Sequence, residues 1–485
     1  VDKSTRVNFS GNFGYTPNQN ESNSQSASFD APPGVNHENL FSDFESVPRD
    51  IKVNRSENRS RSENESHRYH WAMGVMRRLN EKGTTLGLNI QNSDSWGNNE
   101  SFSLSETTYF RLKDKNGNDS VLYRNQYLKS PQRNNSWRVG LSFTQPVGKK
   151  VRLRVAYNWS TRYERSNRDT YELSSLASSD IYGELPSGYE AGYVDSLSNR
   201  SHSRSNGHDL NVGVNYSDDT WMFNASLGVT PQRRTIDRKV GKLYADTAMN
   251  MIDFQPMIWM SWRKKEMRVS LNYNGNTRQP SLSDLMPLTD NSNPLYITRG
   301  NPDLKQMFSH NIRLNFQNSP KGISANLGGQ VEQNSVTQVM IYDVQTGGRE
   351  TYPVNINGNW NLFGGASWWK RFGHFSLRLD MSGNHSNRVG MINEDKSLQP
   401  EKSTTRDTGL NCEAQASYQP SWGGIDLSTS WNYQYSLNSL NDNDTYTRYY
   451  NFGLNGYVDF PFGLQLRTDA TYNLRSGTNI QKGED

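Results

Sequence analysis

Long apolar runs are missing from this 485-residue chain, and only 33% of its residues are hydrophobic. No stretch of about 18 or more apolar residues exists, which excludes a membrane protein built from transmembrane helices. Cysteine is nearly absent too: Cys412 is the single one, so an internal disulfide is excluded. The net charge is only +4, with basic and acidic residues interspersed, and this gives no reason to expect a nucleic-acid partner.

Aromatic residues, in contrast, are plentiful. The chain contains 12 Trp, 25 Tyr and 18 Phe, although its mean hydropathy is -0.90. Disordered chains avoid aromatic residues, so the low hydropathy does not indicate disorder. A folded protein with so few apolar residues must place them at regular intervals along the chain, so that they gather on one face of each element.

The stretch WRVGLSFTQPVGKKVRLRVAYNW, residues 137–159, shows how they are separated. Apolar residues alternate with small, polar or arginine residues over 137–143. The alternation resumes over 151–159, after a break that contains Gly148. Strict alternation predicts strands with one apolar face, and the break predicts a hairpin turn.

The same alternation recurs along the whole chain and predicts about 17 strands of about seven to eleven residues each. Tilted strands of that length cross the apolar core of a bilayer. In addition to 137–143 and 151–159, the predicted strands are 7–15, 69–75, 84–90, 210–216, 221–229, 252–262, 267–273, 308–316, 323–331, 362–368, 375–381, 408–418, 425–435, 450–460 and 464–472.

Charge falls on only one face of these strands. The apolar face carries no charged residue and has aromatic residues near strand ends, such as Trp71 and Trp262, which is typical of the aromatic girdles of membrane barrels. The opposite face carries arginines, with Asp and Glu among them. A transmembrane barrel with a polar lumen explains both faces. The arginines predicted to line the lumen are Arg138, Arg152, Arg154, Arg268, Arg313, Arg378 and Arg467.

Connections between the predicted strands alternate between short and long. Bacterial outer-membrane barrels have short periplasmic turns and long extracellular loops, so the first strand is predicted to run outward. The short connections include SDDT at 217–220 and RKKE at 263–266. The long segments are predicted at 16–68, 91–136, 160–209, 274–307 and 382–407. Residues 54–68 and the Ser-rich part of 160–209 are interpreted as solvated surface segments, with strands that rise above the membrane as the open alternative.

One long segment, RQPSLSDLMPLTDNSNPLYITRGNPDLKQ at residues 278–306, has a more specific pattern. Arg-x-Pro-Ser leads to Asn-Pro and then to Gly-Asn-Pro-Asp-Leu-Lys before the next strand. This order resembles a segment in the barrels of TonB-dependent outer-membrane receptors, especially the outer-membrane β-barrel proteins of Bacteroidota. The matching residues are Arg278, Pro280, Ser281, Leu285, Asn293, Pro294, Gly300, Asn301, Pro302, Asp303, Leu304 and Lys305; Gln306 stands where the family more often has Pro.

This segment is interpreted as a folding and shape element in an extracellular loop rather than as a ligand site. Its Asn-Pro pairs and Gly300 are typical of turns that set the chain up for the next strand.

The resemblance implies an all-β, transmembrane, antiparallel up-and-down barrel of about 22 strands around a plugged lumen. Residues 1–485 would form one incomplete barrel domain. Two strands before Val1, three after Asp485 and a plug are expected outside these residues. The implied location is the bacterial outer membrane, in contact with lipid and lipopolysaccharide.

The implied function is energised uptake of a scarce nutrient, such as a metal chelate, cofactor, peptide or oligosaccharide. The energy would come from TonB through the plug, and a surface lipoprotein is a possible further partner. Two interpretations of the lumen arginines stay open: they pair with acids of neighbouring strands or of the plug, or they guide anionic or polar solutes. The loop residues expected to contact a ligand are Tyr182, Tyr189 and Tyr193.

Two other functional classes remain, and neither is an enzyme. A plugless porin-like channel would need a loop folded inward, for which 160–209 is long enough, and a surface scaffold with a lipoprotein partner would need no transport. The sequence shows no pattern for a catalytic residue, a cofactor or a metal site. His67 and His70, three apart in a strand, point to opposite faces and cannot share a metal ion.

Overall fold

Most of the chain is β-strand in the computed structural model, which describes residues 4–34, 41–174, 176, 182–285, 289–293, 295–393 and 400–477. These residues contain one short α-helix, α1 at Leu282–Leu285, and 3-10 helices at Phe44–Ser46, Arg49–Ile51, Tyr189–Gly192 and Asp195–Leu197. The strands are β1 Thr5–Phe29, β2 Lys52–Arg78, β3 Thr85–Lys113, β4 Asp119–Val147, β5 Val151–Glu172, β6 Asn199–Ser217, β7 Trp221–Val240, β8 Leu243–Lys264, β9 Met267–Arg278, β10 Thr289–Asn293, β11 Tyr296–Arg299, β12 Met307–Asn318, β13 Ile323–Gln333, β14 Ser335–Asp343, β15 Gly348–Ile356, β16 Trp360–Phe372, β17 Phe375–Asn393, β18 Glu401–Tyr418, β19 Gly423–Asn438, β20 Asn441–Asp459 and β21 Gln465–Gly477.

Most of the 21 strands form one antiparallel up-and-down series, called the wall below. It runs from β1 to β9, continues through β12, β13 and β16, and ends with β17 to β21. Each predicted strand overlaps a different wall strand, so the predicted all-β meander is confirmed. The connections predicted to be short all lie at one end of the wall. The opposite end carries the long connections but also short ones, such as 241–242 between β7 and β8 and 439–440 between β19 and β20.

The predicted strand length was wrong for much of the wall. β3 and β4 have 29 residues each, and β2 has 27, so most of the predicted loops at 16–68 and 91–136 are strand. Apolar alternation ends where the strands leave the bilayer, but backbone pairing continues through Ser-rich and Asn-rich sequence. About ten residues cross the apolar core. The remainder of these strands therefore projects beyond the membrane.

Four strands outside the wall were not predicted. β10 pairs with β11, and β11 pairs in parallel with β15. β14 pairs with β15 and, in parallel, with β17. β14 and β15 are too short and too polar to show a clear alternation. They form a hairpin, residues 335–356, which is called the crossbar below.

The two faces of the wall differ as predicted. The outer face carries the apolar residues of the membrane belt; Leu141 and Leu153, for example, are 51% and 46% exposed. Ring contacts such as Trp71–Trp137, with centroids 5.7 Å apart, lie at the edge of this belt. The inner face carries the polar residues. Within the described residues, no helix is long and apolar enough to cross a membrane.

Asp218 organises the short turn between β6 and β7. Its carboxylate accepts hydrogen bonds from the Tyr216 hydroxyl at 2.6 Å, from the backbone N–H groups of Thr220 and Trp221 at 2.9 and 2.7 Å, and from Lys150 Nζ at 3.1 Å. The bond from Tyr216, followed by the backbone bonds, holds the pKa of Asp218 far below its ordinary value.

We expect an Asp218→Asn protein to melt at a lower temperature than the wild type at neutral pH. Because the folded-state pKa is depressed, the stabilisation by Asp218 is complete above its unfolded pKa of about 4 and is lost as pH falls below it. The difference in melting temperature should therefore shrink as the pH falls from about 6 to about 2. Circular dichroism of the protein in detergent measures it.

Asp219→Asn is the matched control, because it removes the same charge from the same turn. Within the described residues, Asp219 makes none of the bonds that Asp218 makes. A melting difference for Asp218→Asn that stays constant over the pH range would contradict the electrostatic explanation.

Candidate functional site

Small polar side chains line the inner face of the projecting strands. On β3, every second residue from Asn89 to Thr107 is Asn, Gln, Ser, Gly or Thr, and Ser56 to Ser66 of β2 follow the same rule. The register places these residues next to one another, for example Ser66 opposite Gly97 and Ser60 opposite Ser103. Hydroxyl and amide groups can both donate and accept hydrogen bonds, so this surface suits a polar ligand.

A cavity of about 730 Å³, called the mouth cavity below, lies against this surface. That volume is within the range of small-molecule sites. Strands β2 to β7 form its floor, and Ser281 of segment 278–306 also lines it. Lining side chains from six parts of the chain include Asn64, Ser95, Asn134, Glu164, Arg234 and Ser281.

Charged residues also line the mouth cavity: one carboxylate, Glu164, and four arginines, at positions 133, 165, 234 and 238. Glu164 accepts a hydrogen bond from the Ser203 hydroxyl at 3.1 Å and pairs with Arg162 at 2.5 Å. Arg234 is within electrostatic range of Glu164 and of Asp253. Fixed charges of both signs can orient a dipolar or zwitterionic ligand.

The start of segment 278–306 is seated on the inner face by hydrophobic contacts. Leu285 of α1 and Leu304 are 2% and 7% exposed and form a cluster with Ile236 and Val240 of β7. Ser281 caps α1, because its hydroxyl accepts a hydrogen bond from the N–H of Asp284 at 3.1 Å. The segment therefore folds inward and covers one side of the mouth cavity.

The end of the same segment holds the crossbar. The side-chain amide of Asn301 donates to the carbonyl of Pro353 at 3.0 Å. The N–H of Lys305 donates to Asn355 Oδ1 at 2.6 Å, and Asn355 Nδ2 donates back to the Lys305 carbonyl at 3.0 Å. Each bond joins a side-chain amide, of Asn301 or Asn355, to a backbone group, and together they fix β15 to the segment.

The tip of the crossbar reaches the far side of the wall. Asn54 Nδ2 of β2 donates to the carbonyl of Thr346 at 2.8 Å, and Arg111 Nη1 of β3 donates to that of Val344 at 2.8 Å. Gly347 has a φ of +66°, and a Cβ added there would lie 2.5 Å from Asn54 Nδ2. Strands β3 to β9 and β12 separate β2 from β13, so the crossbar spans the mouth.

The residues of the family-like pattern lie on one continuous path. Arg278 ends β9 opposite Met307, and Pro280 is buried. Gly300 and Pro302 flank Asn301, whose side-chain oxygen accepts a hydrogen bond from the N–H of Asp303 at 3.0 Å. Pro294 lies outside the described residues. Their assignment as a folding element stays a prediction.

The structure shows different contacts for the predicted lumen arginines. Arg378 pairs with Asp380 at 2.6 Å, Arg313 lies 5.0 Å from the centroid of the Phe363 ring, and Arg268 donates to Ser261 Oγ at 3.1 Å. Arg467 donates to Gln465 at 2.6 Å. Within the described residues, no ion pair is found for Arg138, Arg152 or Arg154. The arginines do not converge on the mouth cavity.

The three predicted ligand-contact tyrosines are away from the mouth cavity. Tyr189 and Tyr193 pack on Tyr171, with centroids 5.1 and 5.6 Å away, and Tyr189 packs on Tyr127, which is 1% exposed. Tyr127 and Tyr171 share the outer phase of β4 and β5. Tyr182 donates a hydrogen bond to the carbonyl of Phe102 at 3.4 Å.

This tyrosine cluster holds residues 182–198 against the outside of the projecting strands. Burial, together with Glu100, raises the pKa of Tyr127 above its ordinary value. The loop between β5 and β6 thus packs outward, and the predicted role of its tyrosines in ligand contact stays a prediction.

The residues of the mouth cavity itself were not predicted. Ser281 belongs to the recognised segment, but Glu164 and Arg234 give no motif. The available signal was the unbroken Ser and Asn phase of β2 and β3, which was interpreted as solvated loop. Within the described ranges, no group of three or more His, Cys, Asp or Glu residues could hold a metal ion.

Three solved structures are similar to this chain over most of its length. Among solved structures, the chain is similar to the siderophore receptor PirA from Pseudomonas aeruginosa, with 11% identity, 98% of this chain and 81% of that chain covered, and a TM-score of 0.35. It is also similar to the copper transporter OprC, with 9% identity, coverage of 98% and 80%, and a TM-score of 0.42.

A third similar structure is a double mutant of the Serratia marcescens hemophore receptor HasR in complex with its hemophore HasA and heme. It has 9% identity, coverage of 98% and 80%, and a TM-score of 0.38. A search of curated proteins finds no match.

The family assignment rests on sequence. The model of the outer membrane protein beta-barrel family matches residues 77–455, which is more than half of the chain. This region contains most of the wall, segment 278–306 and the crossbar. The chain belongs to the outer membrane protein beta-barrel family and is an integral protein of the outer membrane.

Proposed function

We propose that this chain is the barrel of a TonB-dependent transporter that takes up a scarce nutrient across the outer membrane. The observation that carries the proposal is the mouth cavity, which segment 278–306 covers on one side and the crossbar spans. A general pore needs no such covered site. The expected substrate is a metal chelate, cofactor, peptide or oligosaccharide, and a plug would pass the energy of TonB to the barrel.

The inner-face chemistry favours a ligand rich in hydrogen-bonding groups. The lining offers hydroxyls and amides on several strands at once, and it contains one carboxylate, Glu164, and four arginines, among them Arg234. A porin-like channel is the second candidate, because segment 278–306 folds inward. The loop between β5 and β6 gives that candidate no support, since its tyrosines pack on the outer face.

The test of transport uses the full-length protein in its own outer membrane. Cells with the wild-type gene, a deletion of the gene, or a deletion of TonB are compared for uptake of the compounds that co-purify with the protein. Uptake that requires both genes supports the proposal. Uptake that persists without TonB, together with steady ion conductance of the purified protein in planar bilayers, would replace it with the channel.

Filling the mouth cavity should block binding. We expect Ser95→Trp/Ser201→Trp to weaken binding of the co-purifying compound by about tenfold or more, equivalent to about 1.4 kcal/mol, because two indole rings occupy the cavity. Both serines are cavity-lining residues of the inner face. Isothermal titration calorimetry of the purified protein measures the dissociation constant.

Ser382→Trp is the control, because Ser382 lies on the inner face of β17 and is exposed, away from the mouth cavity. It should bind the compound as the wild type does. Equal binding by the cavity variant and the wild type would show that the ligand site lies elsewhere.

A further inference from the structure

On the outer face of β4 to β7, apolar residues give way to arginines beyond the edge of the apolar belt. On β4 the outward phase runs from Phe143 through Leu141 to Trp137 and reaches Arg133 four residues further on. On β7 it runs through Leu227 and Val229 and reaches Arg233 after a further four. Four residues of strand correspond to about 13 Å. This distance places the arginines at the level of the lipid head groups.

Two more arginines lie beyond the belt on the intervening strands, and in the register the series steps towards the membrane by two positions at β6 and by two more at β7. Arg165 of β5 lies directly opposite Arg133 in the register, and Arg204 of β6 is opposite Tyr163, two residues from Arg165. Arg204 is also opposite Thr235, two residues from Arg233. Together Arg133, Arg165, Arg204 and Arg233 form the arginine row, and all four are exposed. Arg133 and Arg165 also border the mouth cavity, although the alternation of β4 and β5 places them in the outward phase.

The arginine row is poorly compensated by acids. Asp94 pairs with Arg133 at 3.1 Å. Within the described residues, no ion pair is found for Arg165, Arg204 or Arg233. The nearest outward acid on β7 is Asp237, which lies opposite His202. Like charges that face each other across strands destabilise a sheet, so an anion bound between them would relieve the repulsion.

We propose that the arginine row binds the phosphate groups of an outer-leaflet lipopolysaccharide molecule. The guanidinium fork matches phosphate oxygens in a bidentate manner, and cations at the membrane surface attract anionic lipids. The row lies at the end of the wall opposite the uniformly short turns such as 218–220, which is the extracellular end. This end faces the leaflet that contains lipopolysaccharide.

The belt below the row fits the acyl chains of the same lipid. Leu141, Leu153, Val212 and Leu227 lie beneath the arginines on the four strands and are 51%, 46%, 52% and 48% exposed. Tyr163, 39% exposed, lies opposite Arg204 within the row and offers a ring and a hydroxyl beside the guanidinium groups. Acyl chains and phosphates would thus meet apolar and cationic groups in the order in which they occur in the lipid.

The experiment compares the full-length protein with Arg165→Gln/Arg204→Gln/Arg233→Gln. Both proteins are extracted from the native outer membrane in mild detergent, and bound lipid is identified by native mass spectrometry. The probes added afterwards are purified lipid A, its enzymatically dephosphorylated form, a phosphatidylglycerol vesicle and inorganic phosphate. We expect the variant to retain about tenfold less lipid A.

The control is Arg200→Gln/Lys239→Gln. These cations lie further along the same outer face of β6 and β7 and are paired with Asp169 at 3.7 Å and Asp195 at 3.5 Å. The control should bind lipid A as the wild type does. A second variant with lysine at the three arginine positions keeps the charge and is expected to retain most of the binding, which guards against a folding defect.

The proposal is overturned if the glutamine variant retains wild-type lipid A, or if dephosphorylated lipid A, phosphatidylglycerol or free phosphate binds equally well. It does not depend on transport, so it stands or fails separately from the proposed function.

Discussion

Oxidation of a Ser28→Cys/Asn54→Ser/Gly347→Cys protein should lock the crossbar onto β1 and reduce uptake by about tenfold or more, with recovery after reduction. A Cβ at Gly347 would lie 3.4 Å from Ser28 Cβ, close to the spacing of about 3.8 Å in disulfides. Asn54 is replaced because its Nδ2 lies 2.5 Å from that position. A cysteine there must also displace Val53 Cγ1, 2.9 Å away, and adopt the φ of +66°, so uptake by the oxidised protein is compared with uptake by the same protein in its reduced form. Cys412 is changed to Ser so that no other thiol is present.

The expected loss follows from the position of the crossbar. Its tip is bonded to β2 and β3, and its base is bonded to Asn301 and Lys305 of the inward-folded segment. A ligand that enters the mouth cavity from outside must pass beside it. A covalent bond at the tip removes any opening that this passage requires. The prediction rests on the proposed transport.

Uptake is measured with the co-purifying compound in cells, before and after oxidation, and mass spectrometry of proteolytic fragments confirms the bond. Proteins with a cysteine at only one of the two positions are the controls and should not respond to oxidation. A bond that forms fully while uptake continues at the wild-type rate would show that the crossbar does not move during transport.

Replacement of Leu285 by Asp should release segment 278–306 from the wall. Leu285 is 2% exposed and packs on Ile236 and Val240. Loss of a buried leucine costs about 2–5 kcal/mol, and a buried unpaired carboxylate adds to this cost. Since a loss of about 2 kcal/mol changes an opening equilibrium about thirtyfold, amide exchange in residues 295–306 should be at least that much faster.

Hydrogen–deuterium exchange of the detergent-solubilised protein measures this effect. Leu440→Asp is the control, because Leu440 is 42% exposed and outside the cluster. Exchange in the wall strands β17 to β21 should stay unchanged, which distinguishes local release from general unfolding. Unchanged exchange in residues 295–306 would mean that the bonds from Asn301 and Lys305 alone hold the segment.

The membrane-spanning part of the fold was predictable from sequence for a physical reason. A bilayer requires apolar groups on every second residue, so each crossing leaves an alternating pattern that needs no partner to be recognised. All wall strands were found in this way, and the outward position of Trp137 and Leu141 was part of the pattern. The recognised segment likewise marked Leu285 and Leu304, which are buried.

The projecting part was not predictable because water imposes no such alternation. Ser60 and Ser62 of β2 look like loop residues, although backbone pairing to β3 extends through them. Contacts that join distant segments, such as the hydrogen bond from Asn54 to the Thr346 carbonyl, produce no recognisable pattern in the local sequence. The mouth cavity depends on both features, so Glu164 and Arg234 could not be assigned from the sequence.

The length of β2, β3 and β4 determines how a solute first meets the protein. After the membrane core is crossed, about 17 to 19 residues remain in each strand, which corresponds to about 60 Å of strand before tilt is considered. The carbohydrate layer on the outer surface of the membrane occupies the same region as these projecting strands. The entrance is therefore lifted towards or beyond the carbohydrate layer, where bulky solutes can arrive without first diffusing through it.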